Sequence, residues 1–263
     1  MQDLKIALAQ VHQVWEDKAA NLEHFEQVLA GITADLILLP EMFQTGFTMN
    51  GSAMAEQMDG SLSVEWLKRM AAAKQAAVYT SLIVRENGQL YNRGVFVEPS
   101  GTVHSYDKRK VFGLAGEHEV YTSGSTARIV TYKGWKINLQ ICYDLRFPEN
   151  IRNGIGADGL PFYDLLLYVA NWPEKRSLHW DTLLRARAIE NQCYVAGVNR
   201  VGTDANDHTY AGGSVVYSAL GEQLAAAENG AESVITAQLS GDSLQAIRKA
   251  LPFLNDSKLP FTP

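Results

Sequence analysis

Strand-sized apolar runs alternate with helical segments along this chain, and that alternation restricts the fold more than any other feature. "KIALAQV" (Lys5–Val11) has the length and apolar content of a strand. "DKAANLEHFEQVLAGI" then carries Leu22, Phe25, Leu29 and Ile32 at helical spacing, with Asp17 placed to cap the helix. "DLILLPE" (Asp35–Glu41) is apolar on both faces, as in a strand covered on both sides. A helix over Ser61–Gln75 and a strand "AVYTSLIVR" continue the series. The middle of the chain changes character, with one hairpin turning at Pro99-Ser100-Gly101 and a second at Lys133-Gly134. "DLLLYVANW", "SLHWDTLLRARAIENQ" and "CYVAGVNR" repeat the strand–helix–strand order, and "GSVVYSALGEQLAAA" makes a last hairpin. Crossover helices combined with hairpins imply an α/β fold with two mixed sheets, covered by helices on their outer faces.

The chain has 263 residues, a length that suits a single domain over 1–263, and no linker-like stretch divides it. A hydrophobic fraction of 46% against 20% charged residues is enough for a sizeable core and excludes a disordered chain. The net charge of −6 argues against a nucleic-acid partner or an anionic membrane surface. No signal-peptide pattern opens the sequence, the apolar runs are too short to span a membrane, and two cysteines make no disulfide framework. A cytoplasmic location is the expectation. The last residues, from about 250 to 263, read as an extended, proline-bearing tail.

Three strand ends carry reactive groups. In "NLQICYDLRFPE", Asn138, Gln140 and Cys142 alternate with Ile137, Leu139 and Ile141, so the thiol shares a face with amides rather than with aliphatic side chains. A free cysteine is ordinarily a small core residue. At a strand end before a turn, backbone N–H groups would favour a thiolate or hold an oxyanion, with the Tyr143 N–H nearest. Pro148 and Glu149 suit the first turn of a helix there. "LILLPE" ends on Glu41, a carboxylate desolvated enough to act as a base, unless it is simply a solvated loop residue. "TVHSYDKRK" delivers Lys108 and Lys110 on one face of an extended segment; each alone reads as a solvated charge. Taken together, base, ammonium and thiol match attack on an amide carbonyl: the thiol needs a proton acceptor and the oxyanion needs a fixed positive charge.

These blocks resemble those of the nitrilase superfamily of carbon–nitrogen hydrolases. "LPEMF", "YDKRK" and "QICYDLRFPE" follow the family's Glu, Lys and Cys order, and "ANWP", "RARAIENQCYVAGVNRVG" and "YAGGSVV" extend the likeness downstream. "YDLRFPE" with "ANWP" is most similar to the omega-amidases, which hydrolyse the side-chain amide of 2-oxoglutaramate or 2-oxosuccinamate. The resemblance implies an αββα sandwich, Glu41 as general base, Lys108 as oxyanion donor and Cys142 as nucleophile. It implies a second glutamate in "GEHEVYTSG", where Glu117 fits better than Glu119 counting back from Gly124. It also implies a thioester intermediate, no metal or cofactor, and homodimers that pair through the "RARAIENQ" helix and the C-terminal tail. Where relatives carry histidine and leucine after the lysine block, this chain has Lys110 and Val111. Phe43, Tyr143 and Trp172 are expected to line the substrate pocket by position, and Arg146, Arg176 and Lys110 are candidates to meet a substrate carboxylate. The plain reading of Arg146 is a brace for the turn, paired with a nearby carboxylate.

Other chemistries are less well served. A Cys–His protease would use His118 or His179, which no strand end presents. A metal enzyme would need a spacing such as H-E-x-x-H, and Glu117-His118-Glu119 does not supply it. Gly46 and Gly51 have phosphate-loop spacing, but no lysine follows. A non-catalytic ligand-binding protein on the same fold would not need all three groups. Cys193, inside "CYVAGV", reads as a core residue.

Overall fold

The computed structural model describes residues 1–256. The first half of the chain forms β1 (Leu4–Gln10), α1 (Lys18–Val28), β2 (Leu36–Leu38), α2 (Gly51–Met54), α3 (Leu62–Lys74), β3 (Ala77–Glu86), β4 (Gln89–Val97), β5 (Val103–Asp107) and α4 (Glu117–Val120). The second half adds β6 (Ile129–Tyr132), β7 (Trp135–Ile141), β8 (Leu165–Ala170), α5 (Ser177–Asn191), β9 (Tyr194–Asn199), a ribbon of β10 (Val201–Thr203) and β11 (Thr209–Ala211), β12 (Val215–Tyr217), β13 (Gln223–Ala226), β14 (Ser233–Leu239) and α6 (Gly241–Ala250).

Two six-stranded sheets result, in the orders β14-β1-β2-β3-β4-β5 and β13-β12-β9-β8-β7-β6. β1, β2 and β3 are parallel, joined through α1 and α3, and β7, β8 and β9 are parallel in the other sheet. β4 and β5 follow as antiparallel hairpin strands, so β5 runs in the same direction as β2. The carboxyl ends of β2 and β5 therefore lie at the same edge of the first sheet.

Local chemistry sets the helix starts. The Asp17 side chain accepts from the Ala20 N–H at 3.0 Å, and the Ser61 hydroxyl from the Val64 N–H at 3.0 Å. Each such cap contributes about 1 kcal/mol. Phe25 of α1 and Trp66, Leu67 and Met70 of α3 bury their faces against Ala7, Ile37, Val78 and Val95 on the outer side of the first sheet. Ile6, Leu8, Leu36, Leu38 and Tyr79 belong to a second core shared with Ile137, Leu139 and Leu167 and with Trp180 and Leu184 of α5. α5 rests directly on β9: a Cβ at Gly197 would lie 2.6 Å from Leu184 Cδ1 and 2.8 Å from Trp180 Cζ2. The layers are helix, sheet, sheet and helix, the αββα arrangement.

Three features differ from the sequence reading. β14 pairs antiparallel with β1, opposing Leu4 with Leu239. Only Ala237 and Leu239 of its seven residues are buried, so its apolar signal is weak. No α-helix follows Cys142. Two 3-10 turns, Cys142–Arg146 and Pro148–Asn150, stand there instead. Phe147 precedes a proline and is held at φ −117° and ψ 80°, outside the helical region, which stops the helix. Of the expected tail, Phe253–Asp256 forms a 3-10 turn that buries Leu254, and residues 257–263 lie outside the described residues. Among the described residues no helix is long and apolar enough to cross a membrane.

Candidate active site

Glu41 follows β2, Lys108 follows β5, and Cys142 follows β7. Two of these ends turn sharply. Met42 has φ +45° and Cys142 has φ +43°, left-handed conformations that cost a non-glycine residue about 1 kcal/mol or more. The turn at Met42 is tied down by its N–H, which donates to the Ser81 hydroxyl at 3.0 Å.

The three ends meet in one buried cluster. Lys108 Nζ donates to Glu41 Oε1 at 2.8 Å and to both carboxylate oxygens of Glu117 at 2.9 Å. Lys108 is 1% exposed, and Glu41 and Glu117 are fully buried. The lysine stays charged: burial opposes the ammonium, but the charges of Glu117 and Glu41 outweigh it and raise its pKa. Glu117, at the start of α4, also accepts from the Phe112 N–H. Glu119 is exposed at the surface, so the geometry selects Glu117 of the two.

Glu41 is held from three sides. Its Oε1 accepts from Lys108 and from Asn92 Nδ2 (2.8 Å), and its Oε2 accepts from the Asn171 N–H (2.9 Å). A carboxylate has about four acceptor positions, so one remains unfilled among the described residues. The Cys142 thiol lies beside it and donates to the Asn171 carbonyl oxygen at 4.0 Å. Burial pushes that thiol well above its ordinary pKa, Glu41 adds to the push, and Lys108 opposes it. Burial and the neighbouring Glu41 therefore favour the neutral thiol over the thiolate. Cys193 is buried in the core, as expected.

The turn carrying the thiol is braced by Asp144. Its Oδ2 accepts from the Ile141 N–H (3.0 Å) and the Tyr106 hydroxyl (2.8 Å), and its Oδ1 accepts from the Lys110 N–H (2.9 Å). Burial pushes this acid up to about 6 against those hydrogen bonds. Asp144 thus ties the end of β7 to the segment after β5, which carries Lys108.

Above the cluster lies a cavity of about 660 Å³ lined by Cys142, Tyr143, Asn171 and Trp172, with Arg146, Lys175 and Arg176 as its cations. Of the residues expected to meet the substrate, Tyr143, Trp172, Arg146 and Arg176 line this cavity. Phe43 does not. It is fully buried, with its ring 5.7 Å from Phe25 and 5.6 Å from Trp66. The turn at Met42 sends it back into the core. Phe47 takes the place beside the site, its ring centroid 5.2 Å from Lys108 Nζ and its side chain in the cavity wall. Lys110 also lies outside the cavity wall, over the Phe147 ring at 4.5 Å and 3.9 Å from Glu149. Arg146 pairs with no carboxylate among the described residues, so it does not brace the turn in the expected way. His118 and His179 are both absent from the cavity wall.

Asn92 and Asn171 were missed by the sequence reading. Asn92 is a buried amide inside the apolar strand "YNRGVFV", and that misplaced polarity was the available signal. Asn171 lies in "ANWP" at the end of β8, so it shares the strand-end position of the other groups.

A description of carbon–nitrogen hydrolases matches residues 5–249. The omega-amidase YafV of Yersinia enterocolitica is 46% identical over 98% of this chain and 98% of its own length. A 2-oxoglutaramate amidase of Bacillus subtilis is 33% identical over 85% of each chain. Among solved structures, XC1258 from Xanthomonas campestris superposes with a TM-score of 0.96 at 40% identity, covering 100% of both chains; it is a CN-hydrolase superfamily protein with an arsenic adduct in the active site. The chain belongs to the carbon–nitrogen hydrolase family. Within that family its reaction class is amide hydrolysis, which makes it an amidase.

Proposed function

We propose that the chain hydrolyses the terminal amide of a small 2-oxo dicarboxylic acid monoamide, such as 2-oxoglutaramate or 2-oxosuccinamate, through a thioester on Cys142. The carrying observation is the hydrogen-bond count at Glu41. Lys108, Asn92 and Asn171 fill three acceptor positions and leave a fourth open to receive the proton of the Cys142 thiol. The names of the two relatives support the substrate class.

In the first half-reaction the thiol proton passes to Glu41 as sulfur bonds to the amide carbon. The carbonyl π pair moves to oxygen, where Lys108 Nζ and the Tyr143 N–H receive it. A single Lys108 N–H shared between the two Glu117 oxygens leaves another N–H for this role. When the carbonyl re-forms, the C–N bond breaks, and Glu41 returns its proton to nitrogen, so ammonia leaves. In the second half-reaction water gives a proton to Glu41 and attacks the thioester. The C–S bond then breaks, the acid departs, and sulfur regains the proton from Glu41. Burial and Glu41 favour the neutral thiol, so in this mechanism proton transfer to Glu41 accompanies the attack.

Ammonia release from a panel of ω-amides, with and without a 2-oxo group and a carboxylate, tests the substrate. The 2-oxo acids should be turned over with the highest kcat/KM. Equal or faster hydrolysis of simple aliphatic amides would overturn the substrate assignment.

A further inference from the structure

Charge in the cavity is unbalanced. Among the described residues, three cations, Arg146, Lys175 and Arg176, line it against a single carboxylate, Asp204. That carboxylate accepts from the N–H groups of Asn206 (2.8 Å) and His208 (3.0 Å) and from the Tyr210 hydroxyl (2.8 Å). Among the described residues it makes no ion pair or hydrogen bond with Arg146, Lys175 or Arg176.

Both arginines are held in place without an acid. Arg146 lies over the Trp172 ring, 4.7 Å from its centroid, and donates from Nη2 to His179 Nδ1 at 3.2 Å. Arg176 lies over the Phe112 ring at 5.4 Å, and its backbone is fixed because its carbonyl accepts from Trp172 Nε1 at 2.9 Å. Among the described residues the Arg176 guanidinium has neither an ion pair nor a hydrogen bond. Trp172 and Phe112 are themselves cavity walls, so each guanidinium is seated on a ring that faces the cavity. Both guanidiniums stand in the wall of this one cavity, and the charge of Arg176, after burial, lowers the pKa of Arg146. Two like charges gathered without a counter-ion repel, and an anion placed between them reverses the sign of that interaction. A carboxylate suits the site best, because its two oxygens match the planar fork of a guanidinium. Lys175 is exposed and, among the described residues, lies over no aromatic ring.

We propose that Arg146 and Arg176 together form the carboxylate subsite that selects this enzyme's substrates. An ω-amide with a carboxylate at its far end would be held there with its amide carbon at Cys142. This inference rests on Cys142 being the reaction centre and deepens the substrate assignment above. Trp172 and Phe112 orient the pair from beneath, and His179 orients Arg146 from its far side.

The test uses the full-length enzyme and the variants Arg146→Gln, Arg176→Gln and the double variant. Two substrates are compared: 2-oxoglutaramate, and a neutral aliphatic amide of similar length. Each single substitution should lower the ratio of kcat/KM for the carboxylated over the neutral amide by about tenfold or more, mainly through KM. An unchanged ratio in all three variants would overturn the inference, as would equal losses on both amides. A second readout does not depend on turnover. Calorimetric titration of 2-oxoglutarate, the dicarboxylate product, into Cys142→Ala should show binding that Cys142→Ala/Arg146→Gln/Arg176→Gln lacks. Equal binding by both proteins would sink the subsite. If carboxylated amides are not substrates but the dicarboxylate still binds through the arginines, the substrate assignment fails and the subsite stands.

Discussion

Cys142 and Glu41 are coupled by charge, which gives opposite effects for two measurements on one variant. Glu41→Gln removes the negative neighbour that raises the thiol pKa, so the thiol should ionise more readily. Its alkylation by iodoacetamide at a fixed neutral pH should accelerate. Amide turnover should nevertheless fall by about a hundredfold or more, because the proton acceptor is gone. Slower alkylation, or turnover near that of the unmodified enzyme, would contradict the coupling. Asp144 has a second signature. Its folded-state value of about 6 lies above the ordinary 3.8, so the folded chain binds this proton more tightly than the unfolded chain does. Its contribution is therefore fully present below pH 3.8 and is lost as pH rises through about 6. Urea unfolding of the native protein and of Asp144→Asn at pH 4 and pH 7 should show a native loss larger by roughly 2–3 kcal/mol. Parallel pH dependence in the two proteins would rule this out. The reactive residues were legible because each closes an apolar strand, whereas Phe43 and Phe47 were not. Both follow Glu41 closely, and only the left-handed turn at Met42, invisible in the residue string, decides which ring faces the site.

β5 and the segment that returns past it place Lys108. Gly124 donates its N–H to the Lys108 carbonyl at 2.9 Å, and a Cβ at Gly124 would lie 2.2 Å from the Asp107 carbonyl oxygen. No side chain fits without moving the end of β5. Gly124→Ala should therefore lower kcat/KM by about tenfold or more and destabilise the fold by roughly 1–3 kcal/mol. Activity and melting temperature matching the parent enzyme would show that the strand end tolerates displacement. The same elements explain what could be read in advance. β2, β3 and β7–β9 are apolar and bounded by turn residues, and the Lys133-Gly134 turn has both residues at positive φ, as a tight hairpin demands. β14 escaped because it is an edge strand, largely exposed, and recognised only by its pairing with β1.

The two sheets bring together strand ends that are distant in sequence: Glu41 and Lys108 from one, Cys142 and Asn171 from the other. The site therefore forms only when the sheets are packed. Beyond the chain itself, we propose a homodimer through α5. Ile189 on that helix is 50% exposed and Leu220 at the β12–β13 turn is 45% exposed. The turn lies against the helix, since a Cβ at Gly221 would be 2.7 Å from Ile189 Cδ1. An apolar strip of this kind on a helix–hairpin surface suits a self-complementary contact. Light scattering after size exclusion should give twice the mass of the chain, and Ile189→Asp with Leu220→Asp should give the chain mass. A monomeric parent protein, or a doubly substituted variant that stays dimeric, would remove α5 as the interface.

All of the proposed chemistry requires sulfur at position 142. The most direct check is the initial rate of ammonia release from 2-oxoglutaramate by Cys142→Ala, with its fold verified by circular dichroism. The rate should fall to the uncatalysed background. Turnover within tenfold of the parent enzyme would mean that the buried carboxylate and ammonium serve some other nucleophile.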